Sequence, residues 1–215
     1  GSEMCIRDRA EGDSVKMTYT VPSNLVAVGN GKLRSVKNIG EKTSYEWFVS
    51  NPINNYNISV QIGNYVAVQD TFIKDNQTHF MNHYVLDYNK ELASNFFPQS
   101  KEVIRFYEKY FGDYQWYEDG YKLIEVPYLG MEHQSAVTYG NGFSMYNGVR
   151  SKSWPMYGVI DPLIIHETGH EWFGNSVTAS DPTHIWIHEG LQVYSESIYF
   201  EDKFNSYEVG VHYLN

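Results

Sequence analysis

Cysteine is almost missing from this chain. Cys5 is the one example in 215 residues, so no disulfide can close within it. Positive charge is also scarce. Sixteen Lys and Arg stand against 26 Asp and Glu, a formal net charge of −10. That balance argues against non-specific binding to nucleic acid or to an anionic membrane. No apolar run reaches the roughly 18 residues a bilayer-spanning helix needs, so no membrane span is expected. Internal repeats and low-complexity segments are missing too. No signal peptide can be read, which leaves localisation open between a periplasmic or secreted and a cytoplasmic setting. Asn57-Ile58-Ser59 and Asn76-Gln77-Thr78 match the glycosylation acceptor pattern, a pattern common by chance.

Apolar residues are plentiful. They make up 42% of the chain, enough for a real core, and the 19 tyrosines suit strand faces and core positions. The length suffices for one large domain or two small ones. Residues 1–11 have no periodicity and do not blend into the alternating pattern after them. Gly1-Ser2 reads as a cloning remnant and the rest of that segment as foreign.

Residues 12–86 read as β structure. Alternating stretches run from Val15 to Val21, Thr43 to Val49, Tyr56 to Ile62, Tyr65 to Ile73 and His79 to Leu86, with Gly63-Asn64 and Asp75-Asn76 as turns. Asn30-Gly31 between Leu25–Val28 and Leu33–Val36 predicts a two-residue hairpin. Short strands without intervening helices indicate an antiparallel sandwich or curved sheet. The pattern changes near Asp87. Residues 88–97 and Gln99–Phe111 show helical spacing, and Gly112 closes the second stretch. Tyr121–Val126 reads as a short strand. Tyr128–Tyr157, rich in Gly, Ser, Asn and Tyr, reads as a loop walling an active site. Helices are predicted over Pro162–Phe173 and His188–Phe204, with another start at Ser206. The fold class is therefore α+β, divided as 12–86 and 87–215.

The chemistry concentrates in His166-Glu167-Thr168-Gly169-His170. Histidines four apart lie on one helix face, one turn from each other. This HExxH arrangement offers two nitrogen ligands for zinc, and Glu167 as general base. A catalytic zinc keeps three protein ligands, and Glu189, eighteen residues after His170, can supply the third from a second helix. Asp161-Pro162 reads as the N-cap and first position of the metal helix, Gly174-Asn175 as its stop. Leu163, Ile164 and Ile165 place the two histidines inside the protein. The competing reading, two core histidines beside an incidental acid, leaves buried polar groups without a cation at high cost. His184 and His188 read as polar surface or loop histidines. Glu171 and Asp181 are candidates to orient a ligand imidazole through its second nitrogen, though each reads better as a solvated acid.

His166-Glu-Thr-Gly-His-Glu-Trp-Phe-Gly-Asn175, Trp186-Ile-His-Glu-Gly190 and Gly130-Met131-Glu132-His133-Gln134 together resemble the aminopeptidase N family of zinc metallopeptidases. The resemblance runs from about residue 12 to the end. It implies the end of an antiparallel β saddle domain followed by part of a thermolysin-like, mainly helical catalytic domain. It also implies one Zn2+ ion on His166, His170 and Glu189, with Glu167 as base. Gly130, Met131 and Glu132 would bind peptide substrates, Glu132 holding the free N-terminal ammonium by a charge-assisted hydrogen bond.

Three departures stand out. Leu129 occupies the place of the first glycine of the family's signature, and His133 that of its final asparagine. No residue corresponds to the family's catalytic tyrosine. The chain is thus expected to be a fragment of a longer enzyme, with a cut face that favours self-association. Competing functions are a thermolysin-like endopeptidase and a non-catalytic scaffold that keeps the fold.

Overall fold

Side chains that alternate between apolar and polar have to form strands if they are to bury one face. The computed structural model describes residues 11–144 and 160–214. Its strands are β1 (Glu11–Gly12), β2 (Val15–Pro22), β3 (Val26–Gly29), β4 (Lys32–Ile39), β5 (Lys42–Val49), β6 (Ile53–Asn54), β7 (Val60–Gly63), β8 (Tyr65–Lys74), β9 (Gln77–Leu86), β10 (Leu123–Glu125), β11 (Gly130–Met131) and β12 (Val137–Tyr139). Its helices are α1 (Lys90–Phe96), α2 (Gln99–Phe111), α3 (Pro162–Gly169), α4 (Trp186–Phe204) and α5 (Tyr207–Leu214). The fold is α+β, with antiparallel sheets first and helices after. The segment read as foreign falls, apart from Glu11, outside the described residues. Two compact units can be distinguished: residues 1–98 with 115–140, and residues 99–114 with 141–215.

The first unit holds the sheets. Strands β2, β5 and β4 form one antiparallel sheet, and β3 pairs with β7 in another. The largest sheet has the order β11-β12-β10-β9-β8, with β10 parallel to both neighbours. β8 and β9 form a hairpin in register from Tyr65↔Leu86 to Lys74↔Gln77. Asp75 and Asn76 close it with φ of 50° and 61°, the primed turn that suits strand twist. Met17, Val28, Trp47, Val49, Ile53, Tyr65, Tyr84 and Ile124 pack as one core. Trp47 meets Tyr84 edge-on at 6.0 Å and donates its indole N–H to Ala27 O. Buried polar groups are tied down here. Asp119 accepts from the backbone and side chains of Ser50 and Asn51, and Lys122 donates to the carbonyls of Gly31 and Ser135.

The hairpin expected around Asn30-Gly31 does not form. β3 pairs with β7 while β4 pairs with β5, so the chain changes sheets at this dipeptide. Asn30 is buried and donates to Asn57 O and Gln134 O. Gly31 has φ +73°, and a Cβ there would stand 2.1 Å from Phe48 O. The glycine is needed for close passage over β5, not for a turn between paired strands. The expected loop over Tyr128–Tyr157 is also corrected in part, because β11 and β12 lie within it and pair antiparallel. Residues 145–159 of that stretch lie outside the described residues.

The second unit is helical. α2 buries Val103, Ile104, Phe106 and Tyr107. Phe106 meets Tyr199 of α4 edge-on at 5.0 Å, and Tyr107 stacks on Trp172 at 5.0 Å. The Tyr107 hydroxyl joins Gln192 and Ser195 of α4 in a buried polar network. The same network closes over Gly169, the last residue of α3. A Cβ at Gly169 would lie 2.1 Å from the Tyr107 hydroxyl and 2.3 Å from Gln192 Oε1. The absence of a side chain there lets α3 sit against α2 and α4.

Candidate metal centre

The centre is built on α3 and α4 of the helical unit. Asp161 caps α3, its Oδ1 accepting the Leu163 N–H at 2.9 Å, and Pro162 follows at the first position. Leu163, Ile164 and Ile165 are buried and fix which face α3 turns inward. The regular helix ends at Gly169, four residues earlier than expected. Beyond it the chain continues in tight turns, with Trp172 and Phe173 N–H both bonded to Gly169 O, up to Gly174 at φ +131°. His170 therefore sits at the C-cap of α3, and it stays on the face of His166.

The two Nε2 atoms stand 3.3 Å apart, and Glu189 Oε2 lies 3.6 Å from each. One donor atom from each of His166, His170 and Glu189 thus falls within 4.8 Å of the others. Two nitrogens each about 2.05 Å from one tetrahedral zinc are separated by roughly 3.3 Å, so the donor spacing fits that ion. The donor types, two imidazoles and a carboxylate, fit it as well. His170 is buried. The His166 side chain keeps 29% of its surface exposed and that of Glu189 53%, so the centre is open on one side. This revises the expectation that both histidines lie inside.

Each imidazole is held by its other nitrogen. His170 Nδ1 bonds Phe173 O at 2.8 Å, and His166 Nδ1 bonds Glu196 Oε1 at 2.6 Å. A carbonyl or carboxylate acceptor at Nδ1 keeps the proton there and turns the Nε2 lone pair toward the shared space. Glu171 and Asp181 do not take this part. Glu171 is buried and accepts from Asn175 Nδ2, and Asp181 accepts from Thr183. Glu196 was not singled out in the sequence. It comes seven residues after Glu189, two turns along α4, and that spacing on one helix face is the signal that would have found it.

Charge explains the titration of the centre without a metal. Burial disfavours a charged His166, but the Glu196 hydrogen bond and the carboxylates of Glu196, Glu167 and Glu189 outweigh it, and the imidazole is pushed up to about 9. A site that draws a proton between two imidazoles has the field that also suits a cation. Glu167, the expected base, is buried at 7% exposure, near enough to His166 to contribute to that field.

His188 is a correction. It is buried, and its Nε2 accepts the Ala179 N–H at 2.9 Å, so it anchors the loop entering α4. His184 is exposed, as expected.

Gly130, Met131 and Glu132 belong to the β unit. Gly130 and Met131 form β11, the edge strand of the five-stranded sheet, paired with Tyr139 and Thr138 of β12. Glu132 is buried beside it, with the Tyr56 hydroxyl at a long 3.5 Å. Burial pushes the neighbouring His133 imidazole down, against the opposing charge of Glu132.

The family model "Peptidase family M1 domain" matches residues 97–215. Among curated relatives, Aminopeptidase M1-D of Oryza sativa subsp. japonica is 22% identical over 203 residues, covering 93% of this chain and 23% of the relative. Endoplasmic reticulum aminopeptidase 2 of Homo sapiens is 30% identical over 123 residues, covering 54% of this chain and 12% of the relative. A solved M1 zinc metallopeptidase from Deinococcus radiodurans superimposes with a TM-score of 0.72 at 18% identity, over 88% of this chain and 41% of that one. At that identity the likeness speaks for the fold. The chain spans about a quarter of the length of the curated relatives it matches over most of its own.

Proposed function

Because the chain belongs to peptidase family M1, we propose that it is the zinc-binding part of an aminopeptidase that removes residues one at a time from the N-terminus of peptides. The observation that carries this reading is the convergence of His166 Nε2, His170 Nε2 and Glu189 Oε2 at a spacing suited to one ion. These three residues hold one Zn2+. When bound, zinc supplies a Lewis acid that polarises a carbonyl and acidifies water.

The chain's own side chains do the rest. Glu167, one residue after His166 on α3, accepts a proton from the attacking water and returns it to the leaving amine. Strand β11, which ends the five-stranded sheet among the described residues, gives an extended peptide a strand to lie along, the usual mode of strand addition. Glu132, next in sequence, binds the substrate's terminal ammonium in the role the family resemblance gives it. A buried carboxylate suits an ammonium because the pairing is charge-assisted. By that resemblance, an anchored ammonium confines cleavage to the first peptide bond.

Assay of the full-length protein on matched peptides with free and acetylated N-termini tests this reading. Free peptides should be cleaved at the first bond and acetylated ones should be poor substrates. Glu132→Ala should remove most of that preference. Equal cleavage of both peptides, inside the chain, would instead identify an endopeptidase of the thermolysin type.

A further inference from the structure

The carboxylate that holds His166 is itself held. Glu196 lies within α4, its side chain 4% exposed. Oε1 takes His166 Nδ1, and Oε2 accepts the hydroxyl of Tyr213 from α5. Tyr213 is buried, and its ring packs on Phe200 of α4 at 4.7 Å between centroids. A chain of contacts therefore runs from α5 through α4 to the metal ligand on α3. A buried carboxylate with one oxygen on an imidazole needs a donor for the other oxygen, since an unpartnered charged acceptor is costly. That donor also fixes the plane of the carboxylate, and hence the line along which it meets the imidazole.

We propose that Tyr213 is a positioning residue for the metal centre, which makes α5, a helix that carries no ligand, a determinant of zinc affinity. This rests on the reading that His166, His170 and Glu189 hold zinc. Tyr213 works through Glu196: its hydroxyl orients the carboxylate, the carboxylate orients His166, and the Nε2 lone pair then faces the ion. Partners one step removed from a metal commonly matter by about 10–100-fold in affinity, and a partner two steps removed should matter less.

The test is zinc affinity of the full chain, measured by competition with a chromophoric chelator. Glu196→Gln should weaken binding about 10–100-fold. Tyr213→Phe should weaken it roughly 3–10-fold, and the double variant should bind no more weakly than Glu196→Gln alone, because the two act in series. Tyr199→Phe, which removes a buried hydroxyl from the same helix that carries Glu196, should leave affinity unchanged.

Tyr213→Phe binding as tightly as wild type would overturn the proposal. So would losses that multiply in the double variant, or an equal loss in Tyr199→Phe, which would mean general loosening. If Tyr213→Phe fails to fold, the NMR resonance of the hydroxyl-bearing ring carbon of Tyr213 in the zinc-loaded wild type, compared with Glu196→Gln, decides. It should report a carboxylate partner that the variant loses, and an unmoved resonance contradicts the chain of contacts. Wild-type protein that takes up no zinc would sink the metal reading itself, whereas wild type that binds alongside an equally tight Tyr213→Phe sinks only this inference.

Discussion

Glu167, Glu189 and Glu196 all bear on the same pair of imidazoles, and position gives each carboxylate different work. Glu189 Oε2 lies 3.6 Å from each Nε2 atom, where the proposed metal would take it as a ligand. Glu196 meets the far nitrogen of His166 and orients it. Glu167 is buried, and the proposed role of base falls to it. Glu167→Gln keeps shape but cannot accept a proton, so the full-length enzyme should retain its zinc by metal analysis and lose about 10²–10⁴-fold in turnover. Retained turnover would remove Glu167 as base. His166 yields a second expectation. Without metal its imidazole is raised from 6.5 to about 9 by its carboxylate neighbours. A raised histidine stabilises the fold fully below pH 6.5, and that contribution is lost as pH climbs through 9, to an upper bound of roughly 3 kcal/mol. The stability of the zinc-free chain minus that of His166→Gln, tracked by thermal unfolding, should fall between pH 6.5 and 9.5. A flat difference would contradict the charge assignment.

At the scale of elements, the centre depends on how closely α3 approaches α2 and α4. Gly169 permits that approach, since a Cβ would stand 2.1 Å from the Tyr107 hydroxyl and 2.3 Å from Gln192. Gly169→Ala should therefore lower stability by about 1–3 kcal/mol in urea unfolding and weaken zinc binding with it. An unchanged midpoint would show that the network yields freely. Local signals made much of this architecture readable. The amphipathic stretch and Gly112 gave α2 its observed bounds, and Asp161-Pro162 gave the start of α3. Asn30-Gly31 misled because a turn dipeptide says nothing of the partner strand. What decides there is the passage of Gly31 over β5. Glu196 is different: its seven-residue spacing from Glu189 on α4 marks the shared face, but its partners His166 and Tyr213 come from two other helices and only the fold brings them to it.

For the whole molecule, the change from period two to period 3.6 near Asp87 foretold sheets and then helices. It could not foretell that β10, β11 and β12 would join the sheet of β8 and β9, because strand order is set by distant pairing rather than local pattern. Helix α4 begins at Trp186, two residues earlier than the sequence suggests, with Glu189 still in its first turn. The convergence of His166, His170 and Glu189 was legible in the sequence, because the two histidines stand one turn apart at the end of α3 and Glu189 sits at a spacing a second helix can reach. The most direct test is X-ray absorption and metal stoichiometry on the zinc-loaded chain. One zinc per chain is expected, with two imidazole nitrogens and carboxylate oxygen around it, and the His170→Ala variant should lose the ion. Zinc held without imidazole, or held as firmly by His170→Ala, would contradict the account.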